Sequence, residues 1–349
     1  MKAVVYPRPN DFQFTEVPDP VPGPGHVLLR VRATTICGTD LKIFAGQFPG
    51  TRFPHVAGHE WSGEVIALGD GVRSLRPGDR VGVEVHVGCG SCPRCQEGLY
   101  TLCEAYGDRS RGHAHIGFTV WGGLAQLCAV PARACHRLPD SLDFDEGAFT
   151  DSLGIALAAI ERGRLRPGEG VAIIGPGAFG LLALQVARAL GAAPIVLIGT
   201  RNERLQVGKQ LGADAVINTR EEAEPVGRVK SLFDGRGPDL TVEFAGTEEA
   251  AALAVQLPRR GGRAVLAGAT SPGRLLKADL ATIVRGHLEV IGSLANPQAI
   301  SRRGLDLMAR GLVRVKPLIT HHFPLEAFGQ AWETFTSRTG GAFRVMLHP

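Results

Sequence analysis

The chain has 349 residues, 44% apolar and 21% charged, which is enough for two or three domains with buried cores. Its net charge of +4 comes from scattered Lys and Arg without a basic block, which argues against a nucleic-acid binder. The longest apolar stretch, Val171–Thr200, is broken by Pro176, Arg188 and Pro194, which argues against a membrane span, and Met1–Asn10 lacks the apolar run of a secretion signal, so a cytoplasmic protein is expected.

Residues 1 to about 150 alternate short apolar stretches with Gly/Pro turns. Strands are expected at Val27–Ala33, Gly63–Leu68 and Arg80–Val85, separated by Pro22-Gly23-Pro24-Gly25 and Arg76-Pro77-Gly78-Asp79, a β-rich, barrel-like pattern. Two short motifs in this part carry metal-binding side chains, Cys37-Gly38-Thr39-Asp40 and Gly58-His59-Glu60. Singly, Cys37 reads as a small buried hydrophobe and His59 as a core histidine. Together, thiolate, imidazole and carboxylate suit Zn²⁺ with one exchangeable position.

Cys89, Cys92, Cys95 and Cys103 follow at C-x2-C-x2-C-x7-C spacing. Four thiols so close together can turn inward on one tetrahedral ion, so this lobe is expected to hold a closed, structural zinc. A pair of disulfides is the competing arrangement. The odd total of seven cysteines and the expected location favour the metal.

From Pro167 the period changes. Val171–Ile174 reads as a buried strand, Leu181–Leu190 as a helix, Pro194–Ile198 as a strand, Arg204–Leu211 as a helix and Ala215–Ile217 as a strand. Leu240–Phe244 and Arg263–Ala267 continue the alternation of a parallel α/β sheet. Between the first strand and helix lies Gly175-Pro176-Gly177-Ala178-Phe179-Gly180, the G-x-G-x-x-G of a dinucleotide site. Its first glycine permits a tight turn, its second lets the pyrophosphate approach the backbone, and its third allows close helix–strand packing. The helix N-terminus then faces the phosphates. The acid that holds a ribose diol usually ends the second strand; here Gly199, Thr200 and Arg201 stand there, with Arg204 in the helix beyond. A glycine leaving room, a hydroxyl and a guanidinium favour the 2′-phosphate of NADP(H) over NAD(H).

These four motifs together resemble the zinc-containing medium-chain alcohol dehydrogenases over essentially the whole chain. The resemblance implies an α/β protein with a GroES-like, β-rich catalytic domain (1–153 and 294–349, the cysteine lobe at about 86–106) and a Rossmann doubly wound coenzyme domain (154–293), with the active site in the cleft between them. It implies two zinc ions per subunit. Cys37 and His59 would be ligands of the catalytic one, with Glu60 either a direct ligand or one exchanging with substrate water. The remaining position falls at Thr150-Asp151-Ser152, where Asp151 is the expected ligand, its alternative role being a helix N-cap. Thr39 takes the place of the family's relay hydroxyl and Asp40 of a residue that orients a ligand. Lys42 stands where many members have a relay histidine, leaving it to relay a proton, to contact the cofactor ribose, or to be solvated.

The expected reaction is hydride transfer between a secondary alcohol or polyol and NADP(H), or NAD. A threonine 3-dehydrogenase-like or sugar-phosphate activity is the alternative. The carboxylate-bearing site resembles the polyol and threonine branches, and His86 falls where threonine dehydrogenases often carry a histidine, although their aromatic-acid-Pro-Phe-Gly-Asn run is replaced by Asp151-Ser152-Leu153-Gly154. Arg109, Arg111, His113 and His115 read as a solvated loop, alternatively one facing a phosphate or a hydroxylated substrate, and Phe48, Phe118 and Trp121 as pocket walls or core. Two other classes share the architecture. A zinc-free quinone or enoyl reductase would not need Cys37, His59 or the lobe, and a non-catalytic zinc-stabilised binding protein would not need an intact ligand set. The apolar strand Leu288–Ser293 resembles the edge that pairs subunits in this family, so a homodimer or homotetramer is expected, with a small-molecule alcohol or carbonyl as its partner and neither nucleic acid nor membrane.

Overall fold

A computed structural model describes residues 1–268, 273–295 and 298–349. The chain divides into two compact units, Met1–Gly154 with Asn296–Ala309 and Val315–Pro349, and Ile155–Ala295 with Arg310–Arg314. Arg314 belongs with the second unit because its backbone exchanges two hydrogen bonds with the Gln185 side chain, 2.8 and 3.1 Å.

The first unit is built on a seven-stranded sheet in the order Ile319–Pro324, Arg344–His348, His26–Ile36, Glu60–Leu68, Arg80–Val83 and Cys135–Arg137, with Leu127–Pro131 also paired to His26–Ile36. All its pairings are antiparallel except that between Ile319–Pro324 and Arg344–His348. The strand His26–Ile36 is long, and its register against Glu60–Leu68 shifts at two places. Such irregularities bend a strand and increase its twist. Its first half therefore pairs Leu127–Pro131 while its end pairs Arg344–His348. At that end Thr35 lies opposite Glu60, and Ile36 opposite Val345. Alternate residues along His26–Ile36 bury Val27, Leu29 and Val31 in a core with the fully buried Trp61.

The second unit is a six-stranded parallel sheet. Its strands lie in the order Ala215–Asn218, Ile195–Gly199, Val171–Ile174, Leu240–Glu243, Arg263–Leu266 and Glu289–Gly292, which is chain order 3-2-1-4-5-6. The strand order reverses beside Val171–Ile174, where ligands of doubly wound sheets bind. The central strands are apolar along their whole length and buried, as strands covered on both faces must be. The helix after the glycine loop begins at Ala178, three residues before the expected Leu181, so that Gly180 lies within its first turn. Among the described residues no helix is long and apolar enough to cross a membrane.

Candidate active site

The first unit brings Cys37, His59 and Glu60 together, with one potential ligand atom from each within 4.8 Å of the others, and all three are buried. Cys37 immediately follows the strand His26–Ile36 and precedes the helix Gly38–Phe44; Glu60 opens the neighbouring strand, so pairing of the two strands assembles the set. Asp40 fixes two of its members. One of its carboxylate oxygens accepts the Cys37 backbone N–H at 2.8 Å, and the other lies 3.1 Å from His59 Nδ1. With Nδ1–H donated to a carboxylate, Nε2 carries the lone pair that a metal needs. Thr39 Oγ1 is 4.0 Å from the Cys37 sulfur. Lys42, on the same helix, is partly exposed.

Glu60 is held from two sides: Thr35 Oγ1 donates to one oxygen at 2.6 Å, and the Arg344 guanidinium donates to the other at 2.7 Å. Arg344 is itself buried. Burial opposes its charge, but the carboxylate of Glu60 and the sulfur of Cys37 more than compensate and raise its pKa.

Asp151 lies outside the 4.8 Å set. It is the second residue of the helix Thr150–Arg162 and so does not precede it as an N-cap would; its Oδ1 instead accepts the Val85 N–H at 3.3 Å. Its pKa is pushed up to about 7, first by burial and then by the charge of Glu84, while His59 opposes the shift. Glu84 is also buried and hydrogen-bonds His136 Nε2 at 2.9 Å and the Tyr100 hydroxyl.

The donor set fits a divalent cation. Asp40 and Glu60 are each 99% buried in contact with the Cys37–His59 pair, and the one Arg344 guanidinium that answers Glu60 directly is their only fixed positive charge among the described ion pairs. Buried anions need a counter-charge. The pKa of His59 shows the same attraction for positive charge: burial lowers it, yet Asp40 and Cys37 drive the net value well above the ordinary one.

The loop expected to be solvated at His113 and His115 is instead buried there, at 1% and 8% exposure. Strands His86–Val87 and Ala114–His115 pair and carry the histidines inward. Rings then stack in series: His86 on His115 (4.4 Å), His115 on Phe118 (3.7 Å), and Phe118 against His59 (4.6 Å). Burial, and then the charge of His113, lowers the pKa of His86 to about 3. The Nε2 atoms of His86 and His113 are buried without a hydrogen-bond partner. Phe118 is core and Trp121 exposed, while Phe48 packs on Phe118 at 4.7 Å. Arg109 stays at the surface, donating to the Thr119 carbonyl.

In the lobe all four sulfurs lie within 4.8 Å of one another, with Cys89 and Cys95 3.9 Å apart and Cys92 and Cys103 4.0 Å apart. Four thiolates about 2.3 Å from a tetrahedral zinc are separated by about 3.8 Å. Spacing of nearly 4 Å fits an ion and is far beyond a disulfide bond of about 2 Å. The Cys92 N–H (3.4 Å) and the Ser91 hydroxyl (3.5 Å) point at Cys89, and hydrogen bonds from Ser91 and these amides pull its thiol down to about 5. Arg133 anchors the lobe by donating to the carbonyls of Gly88 (2.6 Å) and Gly112 (3.0 Å).

In the second unit, Gly175 has φ +100°, and a Cβ on it would lie 2.9 Å from the Ala245 nitrogen. A Cβ on Gly180 would strike the Gly175 carbonyl at 2.0 Å, whereas one on Gly177 would meet nothing within 4 Å. The loop therefore packs through its outer glycines and leaves its middle one open toward a ligand, at the N-cap of Ala178–Ala189. Gly199 has a packing reason of its own, since a Cβ there would meet Pro176 at 2.4 Å, so room for a phosphate is not needed to explain it. Thr200 is exposed, and Arg201 caps the helix Asn202–Gln210, which carries Arg204.

Comparison with known proteins agrees with both halves. Residues 23–140 match the alcohol dehydrogenase GroES-like domain, and residues 178–310 match the zinc-binding dehydrogenase family. The chain is 30% identical to sorbitol dehydrogenase of Bacillus subtilis (strain 168) over 100% of this chain and 97% of that one. It is 32% identical to L-threonine 3-dehydrogenase of Pyrococcus horikoshii, over 99% of each. A crystal structure of a Sinorhizobium meliloti 1021 protein bound to NADP superposes with a TM-score of 0.92 at 30% identity, covering 100% and 99% of the two chains. The chain belongs to the zinc-containing medium-chain alcohol and polyol dehydrogenases, with their α/β combination of a GroES-like and a Rossmann domain. It is an oxidoreductase acting between an alcohol or polyol and a nicotinamide cofactor.

Sequence reasoning missed Arg344, Thr35 and Glu84. Arg344 did leave a signal, a lone charge inside the apolar run Phe343–Leu347. Thr35 does not stand out from its strand, and Glu84, just past the strand Arg80–Val83, reads as one more polar residue of an alternating run.

Proposed function

We propose that the protein is a cytoplasmic, homo-oligomeric dehydrogenase of secondary alcohols or polyols that prefers NADP(H) and holds one catalytic and one structural zinc per subunit. The observation that carries this reading is the buried donor set of Cys37, His59 and Glu60, with Asp151 close enough for His59 and Glu60 to bias its titration. Zinc held there would supply the Lewis acidity that makes an alcohol hydroxyl acidic near neutral pH, the nicotinamide being the hydride acceptor.

The chain's own residues do the rest. Asp40 aims His59, and the Thr35 hydroxyl and Arg344 keep one carboxylate of the set in place. Thr39, beside the Cys37 sulfur, is positioned to accept the hydroxyl proton. Phe118 walls off His59. The partnerless nitrogens of His86 and His113 favour a substrate with several hydroxyls over a plain alkyl alcohol, because a buried polar atom is costly until it is hydrogen-bonded. The absence of an acid after Ile195–Gly199 and the presence of Arg201 support NADP(H).

Seven cysteines without a disulfide suit a reducing compartment. The edge strand Glu289–Gly292 lies near exposed apolar side chains, Leu280, Val284, Val290 and Leu294, which supports subunit pairing there.

Initial rates of nicotinamide reduction by zinc-replete protein, over secondary alcohols, polyols, threonine and sugar phosphates with NADP and NAD in parallel, test the reading. Turnover of a polyol or secondary alcohol, with NADP favoured and the preference narrowed by Arg201→Ala, is the expected result. Faster turnover with NAD overturns the cofactor assignment, and turnover confined to threonine or a sugar phosphate overturns the substrate class.

A further inference from the structure

Asp145, His322 and His348 meet at the surface of the first unit, away from the two zinc-binding motifs in sequence, with one ligand atom from each within 4.8 Å of the others. Asp145 lies in the short helix Phe144–Gly147, and the histidines on the adjacent parallel strands Ile319–Pro324 and Arg344–His348. His322 Nδ1 and His348 Nε2 are 3.1 Å apart, their rings nearly parallel at 10°. Each nitrogen is 3.8 Å from an Asp145 oxygen, too long for a hydrogen bond.

The chemistry of this group is fixed at one end. His348 Nδ1 lies 3.2 Å from the Arg32 carbonyl. A carbonyl oxygen only accepts, so the proton sits on Nδ1 and the Nε2 lone pair points at His322 and Asp145. A ring N–H anchored on a backbone carbonyl is the usual support of a metal-ligating histidine. Two nitrogens on a tetrahedral ion at 2.0–2.1 Å are about 3.3 Å apart, close to the 3.1 Å spacing here. The carboxylate has about 0.5 Å to travel to reach the same separation. The nearest ammonium, Lys316, pairs directly with Asp143 at 2.8 Å and Glu146 at 3.7 Å and reaches Asp145 only as a weaker, longer-range charge.

We propose that Asp145, His322 and His348 form a further binding site for a divalent transition-metal ion, a two-histidine, one-carboxylate set completed by solvent. All three side chains are reachable, at 25%, 52% and 39% exposure, so the ion exchanges with the medium. Bound, it ties the final strand to the segment that leads into the helix bearing Asp151.

The test is calorimetric titration of the untagged, full-length, zinc-loaded protein with Zn²⁺, counting equivalents beyond the zinc already present by elemental analysis. One further equivalent is expected, its affinity lowered about tenfold or more by His348→Ala and by the conservative His322→Gln, with oxidation rates unchanged as evidence of intact folding. Absence of the further equivalent in the wild-type protein overturns the proposal. So does an equivalent that persists at full affinity in both variants.

Discussion

Arg344→Met removes the guanidinium that answers Glu60 and leaves the carboxylate with the hydrogen bond from the Thr35 hydroxyl. Both partners of the ion pair are at least 96% shielded from solvent at their side chains, and the N···O distance is 2.7 Å. Removing one member of such a pair costs about 3–5 kcal/mol, because a buried charge is stranded. An exposed pair would be worth about 0–1 kcal/mol. The assay is urea unfolding of the zinc-free protein at pH 7, so that no metal charge answers Glu60 in place of Arg344, followed by tryptophan fluorescence. Trp61, Trp121 and Trp332 all lie in the first unit, so the signal reports the unit that holds the pair. Arg344→Met should lose about 4 kcal/mol, and adding Glu60→Gln to it should restore most of that loss. A cost below about 1 kcal/mol, or single-variant effects that simply add in the double variant, would refute the argument that Glu60 is a buried anion held by Arg344.

Cys37→Ser should lower kcat by about 10³-fold or more, since several kcal/mol of charge stabilisation go with the ligand, while unfolding curves change little. A variant with wild-type rates would disprove the donor role. Cys92→Ser should instead lose about one zinc per subunit by elemental analysis and lower Tm by several degrees, at about 2–4 °C for each kcal/mol lost; unchanged zinc content would show that the lobe binds no ion. Acid should destabilise the fold through His86: its folded pKa of about 3 lies below the ordinary 6.5, so the unfolded chain takes up a proton that the folded chain refuses, and stability falls as pH drops through that window. Between pH 6 and 5 the wild type should therefore lose about 1 kcal/mol more than His86→Phe, measured by the same fluorescence; equal losses would show that His86 is not held neutral.

Much of this molecule is legible in the sequence because the relevant contacts are local. The glycine loop, the lobe cysteines and the pair Cys37–Asp40 each lie within fifteen residues, and turn or helix geometry forces such neighbours together. The parallel sheet is equally readable, its central strands being apolar throughout and short. His113 and His115 were misread because polar residues near an Arg-rich segment look solvated. What buries them is the pairing of Ala114–His115 with His86–Val87, the stacking of His115 on Phe118 and the packing of His113 against Tyr106 and His86, none of which leaves a mark at residue 113 or 115. Asp151 was readable as a candidate ligand, but its orientation by the Val85 amide depends on a residue 66 positions away.

The same distinction separates the two layers of the candidate catalytic centre. The grouped donor atoms of Cys37, His59 and Glu60 come from motifs in the first 60 residues, whereas the charge that balances Glu60 comes from 284 residues further along the chain. What unites them is strand register: Val345 opposite Ile36 brings Arg344 alongside Cys37, and Thr35 opposite Glu60 brings its hydroxyl to the carboxylate. A slip of one residue in either pairing would turn these side chains to the other face of the sheet. The apolar residues flanking Arg344, Val345, Met346 and Leu347, are fully buried and lock that register. Core packing in the final strand is thus also what sets the electrostatics around Glu60, so changes to Val345 or Leu347 should disturb Glu60 without touching it.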